Sequence, residues 1–207
     1  MATLRGFDTD SNCSGKAKLI HAAAYDFVIR YYGGSGGRVL TKAEITELHS
    51  ESIAIGAVYE VSSMATLGHF TQLNGSKDAS AAYSFASDAN QPGDTAIFFG
   101  VDCDPRDPKT SKIQLAGIVE YFQSIRQYFA SKPIKYLIGV YGAGATCLEI
   151  KENQKIAQFS WLAGSASAWA GTSTYSTWDL YQHNTIYDAA IGLSIDPNDA
   201  LISFGQF

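Results

Sequence analysis

Asp102 and Asp104 stand two residues apart at the end of the apolar run Ile97-Phe98-Phe99-Gly100-Val101. Side chains alternate between the faces of a strand, so the two carboxylates share one face while Phe99, Val101 and Cys103 share the other. Adjacent acids at the end of a buried strand repel each other and resist desolvation, which makes them a poor choice for stability alone. Two carboxylates, one protonated and one ionised, are what acid/base cleavage of a glycosidic bond requires.

The elements that must position such a pair recur along the chain. Strand-like runs cover residues 3–10, 27–32, 54–61, 95–104, 136–143, 159–164, 178–184 and 193–198, eight in all. Helical patterns lie between them at 14–25, 41–52, 78–89, 110–131 and 145–158, and the later connections shorten, so the last helices are expected to be stubs. Thr41-Lys42-Ala43-Glu44 reads as a capping box. Leu115, Ile118, Val119, Phe122 and Ile125 form an apolar stripe at helical spacing. Alternating strands and helices imply a parallel sheet, and eight strands permit a single small (β/α)8 barrel of the TIM type over residues 1–207. The alternative, an open doubly wound sheet, normally carries a Gly-rich phosphate turn. Gly33-Gly34-Ser35-Gly36-Gly37 has neither the spacing of a dinucleotide fingerprint nor a Walker lysine, and it reads as a flexible loop.

A barrel of this type carries its functional groups at the C-terminal strand ends. Strand parity places Asp8 and Asp10 on one face of the first strand, Val28, Arg30 and Tyr32 on the second, and Glu60 on the third. It places Asp102 and Asp104 on the fourth strand, Tyr141 on the fifth, Trp161 on the sixth, Gln182 on the seventh, and Asp196 and Asn198 on the eighth. Blander roles exist for several of them. Asp8 and Asp10 can cap the following helix, Asp104 before Pro105 can make a turn, and Glu60 can pair with Arg30.

Composition narrows the function classes. With 46% hydrophobic and 17% charged residues the chain can bury a sizeable core. A net charge of -5 without a basic run argues against a nucleic-acid partner. Cys13, Cys103 and Cys147 have no C-x-x-C spacing, so buried free thiols are expected rather than disulfides or a zinc site. The N-terminus lacks the apolar region of a signal peptide, and no run is long enough to span a bilayer. The expectation is a protein made in the cytoplasm and, if it acts on a cell wall, exported by a signal-less route.

The segments Gly6-Phe7-Asp8-Thr9-Asp10, Phe27-Val28-Ile29-Arg30-Tyr31-Tyr32, Phe98-Phe99-Gly100-Val101-Asp102-Cys103-Asp104, Ile138-Gly139-Val140-Tyr141-Gly142, Asp179-Leu180-Tyr181-Gln182-His183-Asn184 and Ile195-Asp196-Pro197-Asn198 resemble the Rv2525c-like glycoside-hydrolase-like domain. This family, also called domain of unknown function 1906, is related to the glycoside hydrolase family 25 muramidases, small barrels that cut peptidoglycan. The resemblance covers nearly the whole chain. It matches Asp8 to the first-strand acid, Asp102 to the first acid of an Asp-x-Glu pair, and Tyr141 and Asp196 to their counterparts. Asp104 departs from the pattern, standing where the muramidases have a Glu proton donor.

The resemblance implies hydrolysis of a peptidoglycan or related glycan. Asp104 or Glu60 would be the general acid, Asp102 would stabilise positive charge or orient the acetamido group, and Asp8 would tune that pair. Arg30, Tyr32, Tyr141, Trp161, Gln182, Asp196 and Asn198 would contact the glycan, without metal or cofactor. Three other readings stay open: a non-catalytic carbohydrate-binding or cell-envelope protein on the same barrel, an exported antibacterial effector or phage lytic enzyme with an inhibitor or secretion partner, and, more weakly, a metal-dependent hydrolase whose clustered acids hold Mg²⁺ or Ca²⁺.

Overall fold

The computed structural model describes residues 3–201 and 203–207; Met1, Ala2 and Ile202 lie outside the described residues. Seven strands run parallel and side by side in chain order: β1 (Leu4–Asp8), β2 (Phe27–Tyr32), β3 (Ala54–Tyr59), β4 (Ala96–Gly100), β5 (Leu137–Gly142), β6 (Phe159–Leu162) and β7 (Leu180–Gln182). After a short strand β8 (Ile186–Asp188), β9 (Leu193–Ala200) fills the gap between β7 and β1 and closes an eight-stranded barrel.

The expectation of a small TIM-type barrel holds, with one difference at the seam. β9 runs antiparallel to both neighbours, pairing Asp196 with Asp8 and Asn198 with both Gly6 and Gln182. A parallel crossover needs a dozen or more residues. Only residues 183–192 separate β7 from β9, so the chain returns as a hairpin, with β8 paired to β9 outside the barrel. The helical stubs expected near the end are absent from the described residues after β6, where turns take their place.

Helices α1 (Ala17–Ala22), α2 (Lys42–Ser50), α3 (Gln72–Asp88) and α4 (Ala116–Ala130) cover the outside, followed by a short α5 (Gly144–Cys147) that continues as a π turn over Leu148–Asn153. The stripe expected on α4 is buried at Ile118, Phe122 and Ile125, and Tyr121 and Phe129 widen it. The helix starts at Ala116 rather than Thr110 because Asp107 draws the preceding segment into a turn, accepting from the Lys109 and Thr110 N–H groups at 2.8 Å each. Half of the expected capping box forms. Thr41 Oγ1 accepts from Glu44 N at 3.2 Å, but the Glu44 carboxylate turns inward to other partners.

Two apolar layers result. Phe27, Ile29, Val58, Phe98, Trp161 and Leu180 fill the lumen, and a larger layer packs between sheet and helices. Phe204 plugs the lower end against Phe27, with ring centroids 4.8 Å apart. That leaves the upper end, where the parallel strands terminate, as the open one. The three cysteines are free thiols, two buried and Cys103 half-buried.

Candidate active site

The site is built on the last residue of β1. Asp8 is fully buried and accepts three hydrogen bonds: Tyr31 Oη donates to Oδ1 at 3.0 Å, while Gln182 Nε2 and Asn198 Nδ2 donate to Oδ2 at 2.9 and 2.8 Å. Burial, followed by the charge of Asp196, pushes its carboxyl up to about 7 despite these donors. Tyr141 donates to Gln182 Oε1 at 2.9 Å, and Trp161 Nε1 donates to Asn198 Oδ1 at 2.7 Å.

Parity fails on β2, with a physical cause. A strand buried on both faces reads as a continuous apolar run, so the pattern does not say which face is inward. Phe27, Ile29 and Tyr31 point into the barrel, and Val28, Arg30 and Tyr32 point out. Arg30 and Tyr32 are therefore removed from the expected glycan contacts. Tyr32 donates to Gln91 Oε1 at 2.9 Å beneath the helices. Arg30, fully buried, pairs through Nε with Glu44 Oε1 at 2.6 Å. Its other nitrogens donate to the carbonyl of Thr9 and, at 2.7 Å, to that of Gly37. It thus ties together from behind the loops that follow Asp8 and precede Arg38.

The glycine-rich segment after β2 takes left-handed conformations at Gly33, Gly34 and Gly36 and returns Arg38 over the mouth. The Arg38 guanidinium lies 4.2 Å from the Tyr31 ring centroid and donates to Glu60 Oε1 at 2.5 Å. Glu60 therefore pairs with Arg38 rather than Arg30. Its side chain fits beside β4 because residue 100 is glycine: a Cβ there would lie 3.1 Å from Glu60 Oε2. Burial and then the charge of Asp102 raise the Glu60 carboxyl, against the pull of Arg38. Asp102 is also raised by burial and lowered by Arg38.

Asp104 does not join this group. Its Oδ1 accepts from Arg106 N and Ala170 N at 3.1 Å each, and Arg106 lies 3.6 Å from its other oxygen. It stitches two loops together, which is the turn role open to it from the sequence. Trp161 is 1% exposed and Tyr141 7%, so both rings lie under the floor rather than in the cleft, 4.6 Å apart. Asp10 does not cap α1, whose start has no side-chain cap; it stands exposed at the rim.

A cleft of about 330 Å³ opens over Asp8, lined by Tyr31, Arg38, Glu60, Thr185, Ser194 and Asp196 among others. A second lobe of about 750 Å³ runs over the glycine loop and shares Asp10, Arg38 and Glu60 with the first. Burial raises the Asp196 carboxyl, opposed by the hydrogen bond from Thr185. Among the described residues no cluster of His, Cys, Asp or Glu is arranged to hold a metal ion. The arrangement offers two carboxylates of raised pKa, Glu60 and Asp102, the first paired with Arg38, and a buried network below. Tyr31, Arg38 and Thr185 were not singled out from the sequence; the glycine run ending in an arginine was the available signal for Arg38.

Residues 18–198 match the pattern of the Rv2525c-like, glycoside hydrolase-like domain. The uncharacterized protein YbfG of Bacillus subtilis (strain 168) is 30% identical over 130 residues, a match that covers 60% of this chain and only 17% of YbfG. The Tat-secreted protein Rv2525c of Mycobacterium tuberculosis, solved in complex with L-tartrate, superimposes with a TM-score of 0.73 at 22% identity, covering 99% of this chain and 98% of that one. The lysozyme from Streptomyces coelicolor superimposes with a TM-score of 0.60 at 15% identity, covering 98% and 94%. These likenesses establish the fold.

Proposed function

The chain belongs to the Rv2525c-like, glycoside hydrolase-like domain family, and from that premise we propose that it hydrolyses a glycan of the bacterial cell wall, cutting peptidoglycan as a muramidase does. The observation that carries this reading is the Glu60–Asp102 pair at the open barrel end, both raised by burial, with Glu60 raised further by Asp102. Cleavage of a glycosidic bond needs one carboxyl that donates a proton and one that stays ionised, and two raised acids at the barrel mouth suit that division. The lysozyme and endolysin folds that superimpose on the chain support the substrate class.

In this mechanism Glu60, protonated, gives its proton to the leaving glycosidic oxygen. Asp102, whose rise Arg38 opposes, is the carboxylate assigned to face the positive charge that develops at the anomeric carbon. Asp8 does not touch the sugar; through Tyr31 it supports Arg38, which lies on the Tyr31 ring. Asp196 and Thr185 form the opposite wall. No helix among the described residues is long and apolar enough to cross a membrane. Action on a wall requires export, and because Rv2525c is Tat-secreted, the signal-less route is not part of the proposal.

The test is release of reducing ends from purified peptidoglycan, with mass spectrometry of the products. Wild type should yield new reducing N-acetylmuramic acid ends, and Glu60→Gln and Asp102→Asn should lose roughly 10²–10⁴-fold in rate. No release between pH 4 and 8 from folded protein would overturn hydrolysis. It would favour the second reading, a glycan-binding barrel, which the engagement of Asp104 by loop N–H groups already supports.

A further inference from the structure

The β8–β9 hairpin rises beyond the barrel, and its two faces differ. Tyr187 pairs with Ser194, while Ile186 pairs with Ile195 and Asp188 with Leu193. Directly opposed residues share a face, and successive pairs alternate. One face carries Leu193 and Ile195 into the layer beneath α1, where Asp188 accepts from Tyr25 Oη at 2.6 Å. The other face carries Thr185, Tyr187, Ser194 and Asp196. Thr185 donates to Asp196, and Thr185, Ser194 and Asp196 all line the cleft over Asp8. Tyr187 extends the same wall outward.

Tyr187 is 69% exposed. Among the described residues it alone of the 12 tyrosines has neither a side-chain hydrogen bond nor a ring partner. A Cβ at Gly192 would lie 3.9 Å from its hydroxyl, so the ring extends along the hairpin toward its tip. Ser194 is its cross-strand partner, and the Lys16 ammonium lies 3.6 Å from the same Gly192 position, so its surroundings are polar rather than the contiguous apolar surface that protein docking needs. An exposed flat ring in polar surroundings, on the hairpin face whose Thr185, Ser194 and Asp196 line a cleft of carboxylates, suits the apolar face and polar rim of a pyranose.

We propose that Tyr187 is an outer stacking platform for a sugar ring of the same glycan strand, beyond the bond held at Glu60 and Asp102. Ser194 stands two residues along β9 from Asp196, which is level with Asp8, so the platform lies about 7 Å outward from the floor. This assignment rests on reading the cleft as a glycan site. It makes the site longer than the acid pair alone and selective for extended strands.

The test is calorimetric titration of glycan-strand fragments of two and six sugars, with Asp102→Asn as the parent protein so that the ligand stays intact. Tyr187→Ala should weaken binding of the hexasaccharide roughly three- to tenfold, leave the disaccharide unchanged, and be restored by Tyr187→Phe. If Tyr187→Ala binds both fragments as the parent does, or loses both equally, the platform is overturned while the glycan site stands. If the parent binds neither fragment, the glycan reading fails and the platform with it.

Discussion

Asn198 donates an amide hydrogen to Asp8 Oδ2 at 2.8 Å across 190 residues of chain. The direction of this bond is set from behind. Trp161 can only donate, and it donates to Asn198 Oδ1, so the Asn198 amide nitrogen must face Asp8. Gln182 points its amide nitrogen the same way, with its oxygen accepting from the Tyr141 and Ser165 hydroxyls, which, unlike an indole, do not by themselves impose that direction. With both amides aimed at Oδ2, any proton on Asp8 sits on Oδ1, against the Tyr31 hydroxyl.

Asp8→Asn should therefore fold as wild type does. Its amide oxygen can take the place of Oδ2 and its NH2 can face Tyr31. A carboxyl raised from its ordinary 3.8 to about 7 is protonated in the folded state over a range where the unfolded state is ionised. Its contribution to stability is full below about pH 4 and is lost as pH rises through about 7, up to about 4 kcal/mol. Urea denaturation at pH 4 and pH 9 should show this loss in wild type and a smaller one in Asp8→Asn. Equal slopes in the two proteins would show that Asp8 is ionised throughout.

Arg38 is the cation that lowers both Glu60 and Asp102. Arg38→Gln should raise both carboxyls further. Asp102 must be ionised to act, so the acid limb of the kcat/KM profile should move to higher pH, and the alkaline limb, set by Glu60, should move the same way. A profile that falls in height without moving would mean that Arg38 contacts substrate rather than tuning the acids.

Arg30 lies outside the reaction yet behind it, joined to Glu44, Thr9 and Gly37 with its side chain fully buried. Arg30→Met leaves Glu44 charged and buried, which costs about 3–5 kcal/mol. The melting temperature should fall by roughly 6–20 °C for a chain of this size. Adding Glu44→Leu should recover part of the loss, because the stranded charge is then gone. Melting curves of the single and double variants decide this.

Gly75 allows α3 to cross α4 closely: a Cβ there would sit 2.3 Å from the Tyr121 carbonyl oxygen. Helix propensity alone favours alanine by about 1 kcal/mol. The contact is with backbone, which cannot swing aside, so the overpacking cost of about 1–3 kcal/mol outweighs that gain and Gly75→Ala should be net destabilising by up to about 2 kcal/mol. A rise in melting temperature would show that the helices can separate without loss.

The strands and the closed barrel were legible because apolar runs and helical stripes alternate along most of the chain. The acids at β1, β3 and β4 were legible as charges at the ends of buried strands. Arg30 and Tyr32 were misplaced because Phe27–Tyr32 is enclosed on both faces, and a strand enclosed on both faces carries no alternation to read. Asp104 looked equivalent to Asp102 because its partner Ala170 lies 66 residues away, in a loop that no local pattern links to it. Tyr31 was hidden by the same ambiguity as Arg30, and Arg38 by a glycine run whose course only the folded loop reveals.

The antiparallel seam between β1 and β9 has a consequence for biosynthesis. Asp8 leaves the ribosome early, but its partners Gln182 and Asn198 are made near the end of this domain. Contacts so distant in sequence form late and slowly. The barrel cannot close, nor the acid network assemble, on a partly made domain. The hydrogen bonds around Asp8 are thus complete only once the last strand has been translated.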